Sequence, residues 1–507
     1  MKISKLFFLI TAIMLVLAAA DSFAVEIESP GKINELATSG RGRLLTVETS
    51  YGGVSVVVLK GTHYEMGKQY GVLLGRQIAV ISKATDLGMV MRGEHSKEDM
   101  KILVTKLWEM MSPHVSETFK EEIKGVVEGA RQSGVEISEL DLIAPLVIAN
   151  ISDMNNIGSL TTGNSSLRPL LRDFAYTCSA FAAWGDRTFG GKLFSSRVLD
   201  WKPRTGSDRF KLITVYEPED DSGKKLNTYM TAGFAGFIGA TNGMNEKGIT
   251  LSEIGSENVV EKLDGMPWTL MFRKVLEESD SLGDAVKIIQ DAENTIGYNF
   301  VIGDGDAENY GTDKWSPAAA AIEENGAFTA VIYDDDPVDH DAVWIDSDGE
   351  NVLVEGSPVH YGTPLKHAVF RADTAMSPDI RKTQTAARGP GKGGTGVNPL
   401  ESASYLKRHR SQYDALVALS TGGAFDNPYT GEPVFIATGD KRLIGPEAAL
   451  EIASAAAMPS QCVLAVIYAA TDLDFYVAWE NTAGKEWQPA FKMPYLKLNL
   501  DELVLKK

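Results

Sequence analysis

Near Ala175 the hydrophobic period of this chain changes, and that change sets what the chain can fold into. Before it, apolar residues recur at helical spacing: Met66, Tyr70, Leu73, Leu74 and Ile78 fall on one face of YEMGKQYGVLLGRQI, and Phe119, Ile123, Val126, Val127 and Ala130 on one face of ETFKEEIKGVVEGAR. Both helices need a surface to bury against. After Ala175, SAFAAWG and KLFSSRVLDW read as strands joined by the turn-rich DRTFGGK, and RFKLITVYE as a further strand. Helices return in PWTLMFRKVLEESD and LGDAVKIIQDAE, before the strand NFVIGD. CVLAVIYAA and LDFYVAWE then form a last hairpin with Cys462 at its entrance. Antiparallel hairpins with helices between them predict a layered α+β core.

The length of 507 residues permits one to three such units. A net charge of −19 would repel a polyanionic backbone, which excludes nucleic acid as a partner. Lys2 and Lys5, the apolar run from Leu6 to Ala20 and the small-x-small Ser22-Phe23-Ala24 read as a signal peptide over residues 1–24. The run is shorter than the ~20 residues that span a bilayer, and no later segment is long and apolar enough to do so. A mature chain exported to the periplasm or outside the cell, without stable membrane insertion, is expected.

The Gly- and Pro-rich stretch from Arg381 to Pro399 reads as a mobile loop. It lacks the Ser or Thr that a P-loop needs after Gly391-Lys392. The acidic DDDPVDHD from Asp334 to Asp341 fits no EF-hand and reads as a solvated loop. GDGDAENYG from Gly303 fails the same test, because Asn309 stands where the loop glycine belongs. No metal site is expected.

Two cysteines remain to be explained, Cys178 and Cys462. In an oxidising compartment they could form a disulfide, which would suit an exported binding protein without turnover. One staple adds little to a core of this size, however. A nucleophilic role requires the thiolate, and a free thiol titrates near ~8.5. None of the seven histidines stands in a recognisable Cys/His protease setting. If the peptide bond between Thr177 and Cys178 opens, Cys178 acquires its own α-amine, with a reference pKa of ~7.7 to 8.0, and nucleophile and base then share one residue. Arg197 on the next strand would favour the thiolate, and Asp200 would accept hydrogen bonds from the amine. Positions 197 and 200 point to opposite faces of a regular strand, so this pairing needs a bulge or a strand end at Asp200. The same residues also read as a surface ion pair beside a buried strand cysteine.

Cys178, the hairpin and RVLDW together resemble the N-terminal-nucleophile cysteine hydrolases, and more closely the acyl-coenzyme A:6-aminopenicillanate acyltransferase family. GTHYEMGKQYG from Gly61, EEIKGVVEGA from Glu121 and GMNEKGITLSE from Gly243 extend the resemblance from about residue 55 to about residue 480. It implies a four-layer αββα core over residues 178–507, preceded by a helical pro-segment or small subunit at 25–177. It also implies self-cleavage between Thr177 and Cys178. Cys178 would be the nucleophile, Arg197 the thiolate partner and Asp200 the group that orients the amine. For the oxyanion or the substrate, the motif positions offer Glu253, Asn242, Asn245 and Arg408, with Arg410 the other match to a late arginine. The downstream Asn of the family has no counterpart in HAVFRADTAMSPDIRK from His367. The implied activity is transfer or hydrolysis of the acyl group of a small amide through a thioester on Cys178, without metal or organic cofactor, by a protein that can persist as a heterodimer of its own two pieces. A bile-salt or penicillin V acylase-like hydrolase shares this core, but its cysteine usually lies close to the initiator methionine or a signal peptide.

Overall fold

The computed structural model describes residues 26–91, 97–151, 177–388 (without 202, 206, 335, 344–349, 352, 359, 361 and 363), 404–421, 425–426, 433–434 and 443–505 (without 485). Residues 1–24, expected as a signal peptide, and most of the Gly-rich stretch before Pro399 lie outside these residues. The strand Gly52–Gly61 shows how the layers arise. Val56 and Val58 pack into one apolar core and Val57 and Leu59 into another, so both faces of the strand are buried. A continuous apolar run is the expected signature of a strand in that position.

Seven strands form one sheet, in an order that places Cys462–Ala469, Gly191–Asp200, Thr177–Gly185 and Ala368–Arg371 side by side. Ten strands form a second sheet, with Gly52–Gly61 next to Lys211–Pro218 and Ile249–Gly255 next to Tyr298–Asp304. The core between the sheets holds Cys178, Leu199, Ile213 and Val466. Outside the ten-stranded sheet, Met66, Tyr70, Phe119 and Phe272 cover it from helices. Outside the seven-stranded sheet, Leu416, Leu450 and Ile452 do the same. The layers therefore run α, β, β, α, as the family resemblance implied. Among the described residues no helix is long and apolar enough to cross a membrane.

The segment expected as a helical pro-segment carries the helices His63–Met91, Lys97–Met111, Glu117–Gln132 and Glu139–Ile151, but it begins with strands. Ile33–Ser39, Gly42–Thr49 and Gly52–Gly61 belong to the ten-stranded sheet, and the last pairs in parallel with Lys211–Pro218, from Ser55 opposite Leu212 to Gly61 opposite Pro218. The residues before Cys178 thus complete a sheet begun by those after it. Two further expectations are corrected. Arg381 to Arg388 are helical within Pro378–Arg388 rather than part of a mobile loop. In the acidic stretch, Asp339 is buried in an ion pair with Arg371, and Asp336 caps the short helix Pro337–Asp341, so the stretch is not simply a solvated loop.

The helices His63–Met91 and Glu117–Gln132 meet backbone to backbone. A Cβ on Gly71 would stand 2.0 Å from the Val126 carbonyl oxygen, and one on Gly129 would stand 2.1 Å from that of Lys68. Only glycine permits this approach, which explains the glycines of GTHYEMGKQYG and EEIKGVVEGA. Beneath the crossing lies a buried ionic network. His63 Nδ1 is 2.8 Å from Glu122 and Nε2 is 3.2 Å from Glu277. Arg273 donates to Glu122 through both terminal nitrogens, at 2.6 and 2.8 Å, and Tyr229 donates to Glu277 at 2.7 Å. His63 and Glu122 precede Cys178 in the chain, whereas Tyr229, Arg273 and Glu277 follow it.

Two outcomes follow from this packing. Gly71→Ala should lower unfolding stability by roughly 1–3 kcal/mol, since the added carbon overpacks two backbones; denaturant titration measures it. Burial opposes the charge on His63, but Glu277 and Glu122 outweigh it and raise its pKa to about 9. The folded value exceeds the unfolded one, so the contribution is complete below ~6.5 and is lost as pH rises through about 9. The alkaline decline in stability should flatten in His63→Gln.

Candidate active site

Cys178 stands at the head of the strand Thr177–Gly185, opposite Leu199 on the antiparallel strand Gly191–Asp200. That register brings the Cys178 sulfur and the Arg197 side chain into the same layer, between the sheets. Arg197 Nη1 donates to Cys178 Sγ at 3.1 Å, and Nη2 donates to Glu253 Oε2 at 2.9 Å. The last pair between Asn242–Asn245 and Ile249–Gly255 is Asn242 with Ser252. Arg197 reaches the gap beyond that pair, where its Nε donates to the Thr241 carbonyl at 3.4 Å.

The backbone nitrogen of Cys178 donates to Asp373 Oδ1 at 3.1 Å. The other oxygen of Asp373 accepts from Arg408 Nη1 at 3.0 Å, and Arg408 Nη2 pairs with Asp200. A chain of alternating charge therefore runs from the Cys178 nitrogen through Asp373 and Arg408 to Asp200. All of these groups are buried, with Cys178, Arg197 and Asp200 at 0 % exposure, so Arg197 and Asp200 are not a surface ion pair.

Asp200 does not hold the Cys178 nitrogen. Val198 and Cys462 pack on the helix-covered face of the sheet, and Cys178, Leu199 and Val466 pack on the inter-sheet face. Arg197 is opposite Val466, and Asp200 is opposite Cys462. The three-residue offset thus sends Arg197 inward and Asp200 outward, as strand geometry dictates. On that face Asp200 accepts from Arg408 and, at 3.1 Å, from the Met458 amide. Asp373 occupies the place assigned to Asp200, and it lies in the segment from His367 that offered no Asn. Only its position after the apolar AVF could have drawn attention to it.

The candidate oxyanion and substrate-binding residues separate in the structure. Asn242 bonds both polar groups of Ala232 across neighbouring strands, accepting at 3.1 Å and donating at 2.7 Å. Asn245 closes the next turn by accepting from Lys247 and Ile249 and donating to Leu276 and Ser279. These are corrections: Asn242 is used in joining strands, and Asn245 in tying its turn to the end of the helix Trp268–Glu278. Arg408 belongs to the site, but it bridges two carboxylates; Arg410 makes a half-exposed pair with Asp414 along its own helix. Glu253 belongs as well, and its Oε1 is buried without a hydrogen-bond partner among the described residues.

Electrostatics follow from burial. Burial pushes the Cys178 thiol up, with Arg197 opposing, so the sulfur is a neutral thiol in the intact chain. The Glu253 carboxyl is pushed up to about 7 by burial against the pull of Arg197. Asp200 rises to about 6, again by burial, against Arg408. Both cysteines are free, and they pack on opposite faces of one sheet. The alternative of a Cys178–Cys462 disulfide is thereby overturned.

Two stacked sheets between helices, with a cysteine heading an inner strand, are the arrangement that the resemblance to the N-terminal-nucleophile hydrolases implied. Residues 189–325 match the family model described as acyl-coenzyme A:6-aminopenicillanic acid acyl-transferase, so the resemblance read from the sequence stands over that segment. The segment includes Arg197, Asp200 and Glu253 and begins after Cys178. The chain is 24% identical over 268 residues to an uncharacterized protein of Archaeoglobus fulgidus, across 51% of this chain and 42% of that protein. It is 23% identical over 289 residues to protein dcd1B of Dictyostelium discoideum, across 54% of this chain and 52% of that protein. The chain thus spans about half the length of these relatives or less. A solved structure, the Caenorhabditis elegans N-acylethanolamine-hydrolyzing acid amidase ortholog, aligns with 10% identity and a TM-score of 0.34, over 58% of this chain and 93% of that one.

The Glu253 charge raises the Cys178 thiol pKa, and Glu253→Gln removes it. The thiol pKa in Glu253→Gln should therefore fall below that of the parent chain. Thiolate ultraviolet absorbance across pH measures this, with Cys178→Ala as the blank for Cys462.

Proposed function

We propose that the chain is an exported, self-processing cysteine amidohydrolase or acyltransferase that acts on a small amide. One observation carries the reading: the sulfur of Cys178 faces a buried guanidinium at 3.1 Å, while its nitrogen faces a buried carboxylate at 3.1 Å. Both atoms that an N-terminal nucleophile uses have a charged partner before the terminus exists.

In the first step Cys178 Sγ attacks the Thr177 carbonyl carbon and the thiol proton passes to the Cys178 nitrogen. The C–N bond breaks, leaving a thioester and a free α-amine. Water then hydrolyses the thioester to a Thr177 carboxylate and a thiol. The sulfur is buried in the intact chain, so an external amide gains access only after this bond has opened. In turnover the amine accepts the thiol proton and delivers it to the leaving nitrogen. The acyl group rests as a thioester on Cys178 until water or another amine takes it, and Arg197 stabilises the sulfur as thiolate. Asp373 holds the amine toward the sulfur, with Arg408 and Asp200 balancing its charge.

The two pieces remain together as a heterodimer. Three strands from before the cleavage point sit in the ten-stranded sheet, and the His63 network spans the division. Intact mass of the purified protein should show two chains, the second starting at Cys178, co-eluting on gel filtration. Cys178→Ala should give one uncut chain, and Cys178→Ser should cleave slowly, since a hydroxyl can still attempt the shift. An uncut wild-type chain that also turns over no amide would overturn the reading.

A further inference from the structure

Asp373 lies on the connection 372–377, between the strand Ala368–Arg371 and the helix Pro378–Arg388. This connection makes no sheet ladder, so its backbone groups must find other partners. Three buried side chains from three elements supply them. Asn299 donates to the Ala372 carbonyl at 2.9 Å. Gln384 Nε2 donates to the Asp373 carbonyl at 2.7 Å, and its Oε1 accepts from the Ala375 amide at 2.9 Å. Glu323 accepts from the Met376 amide at 2.8 Å and from the Ser377 amide at 2.7 Å, and a further bond of 2.7 Å ties it to Arg371 at the other end of the connection.

Gln384 is the side chain that grips Asp373 itself. It is fully buried, and Nε2 is shared with Ser256 Oγ at 2.7 Å. Ser256 immediately follows Ile249–Gly255, the strand that carries Glu253. One amide group therefore joins the loop bearing Asp373 to the strand bearing Glu253, and these two carboxylates flank the Cys178 nitrogen and the Arg197 guanidinium.

We infer that Gln384 is a positioning residue for the Cys178 nitrogen, acting through Asp373, with Glu323 fixing the far end of the same loop. The inference rests on the proposed self-processing chemistry. Displacing a reacting group by ~1 Å can cost on the order of a hundredfold in rate. Gln384→Met keeps the volume of the side chain and removes its hydrogen bonds, so Asp373 loses its backbone anchor while the core stays filled.

The test uses full-length protein, whose own Thr177–Cys178 bond is the substrate. Gln384→Met should slow self-cleavage at least about tenfold relative to wild type. In the cleaved product the Cys178 amine, titrated by nitrogen NMR, should have a lower pKa than in wild type. The charged groups around Cys178 are Asp373 from the loop, Arg408 from the helix Ser404–Thr421, Asp200 and Arg197 from one strand and Glu253 from another. Of these, only Asp373 loses a bond to its own residue in the variant, and the departure of an anion destabilises the ammonium form. A merely structural residue would lower thermal stability without moving that pKa. Should Gln384→Met fail to fold, Glu323→Gln, which weakens the hold on Met376 and Ser377, should shift both readouts in the same direction. A wild type that never opens before Cys178 defeats the chemistry. A wild type that opens, beside a folded variant with the same cleavage rate and amine pKa, defeats the role of Gln384 alone.

Discussion

A guanidinium sealed between two sheets is costly unless every one of its donors is met, and Arg197 is such a group. Its needs are met by the Cys178 sulfur, the Glu253 carboxylate and the Thr241 and Val198 carbonyls. These partners come from three strands and a loop, so the charge that serves the thiol also sets how the two sheets face each other. Removing Arg197 would leave Glu253 buried and unpaired, with damage well beyond the site. Its place in the fold and its place in the chemistry cannot be separated.

The same requirement governs the second charged chain. Asp373, Arg408 and Asp200 alternate in sign, and each is buried only because the next one is present. Asp200 thus supports Asp373 at one remove, by holding Arg408. The strand Gly191–Asp200 ends at Asp200, and the register irregularity opposite it lies in the partner strand, between Cys462 and Leu464. Arg197 and Asp200 serve opposite faces of one strand, and the two lines of charge converge on the sulfur and the nitrogen of Cys178.

Local patterns in the sequence carried the hairpin, the Cys178–Arg197 pairing and the helices at 63–91, 117–132, 268–278 and 282–291, because each depends on residues close together in the chain or on one period. Asp373 was not legible, since its partner is 195 positions away and nothing local marks a carboxylate that will meet a backbone nitrogen. The strand Gly52–Gly61 was overlooked although its run of β-branched residues is a strand signal; the strong helical periods beyond it dominated the reading. Asn242 and Asn245 were misjudged for a related reason. Asparagine beside a turn has the chemistry of an oxyanion donor, but here a neighbouring strand takes the Asn242 amide and a helix end takes that of Asn245.

In the proposed self-processing, opening the chain before Cys178 would change the local charge at the point where the site is most sensitive to it. In the intact protein the sulfur is a neutral thiol, held so by burial and by Glu253, Asp373 and Asp200. Cleavage would add an ammonium group beside Asp373, and a new positive charge so close to the sulfur favours the thiolate. The helical layer and the three leading strands would hold through this change, because their partners lie on the other side of the proposed cut. The scaffold that positions Arg197 and Asp373 is built in the intact chain. Preorganisation of that kind is what would let a single backbone cleavage turn a structural cysteine into a nucleophile.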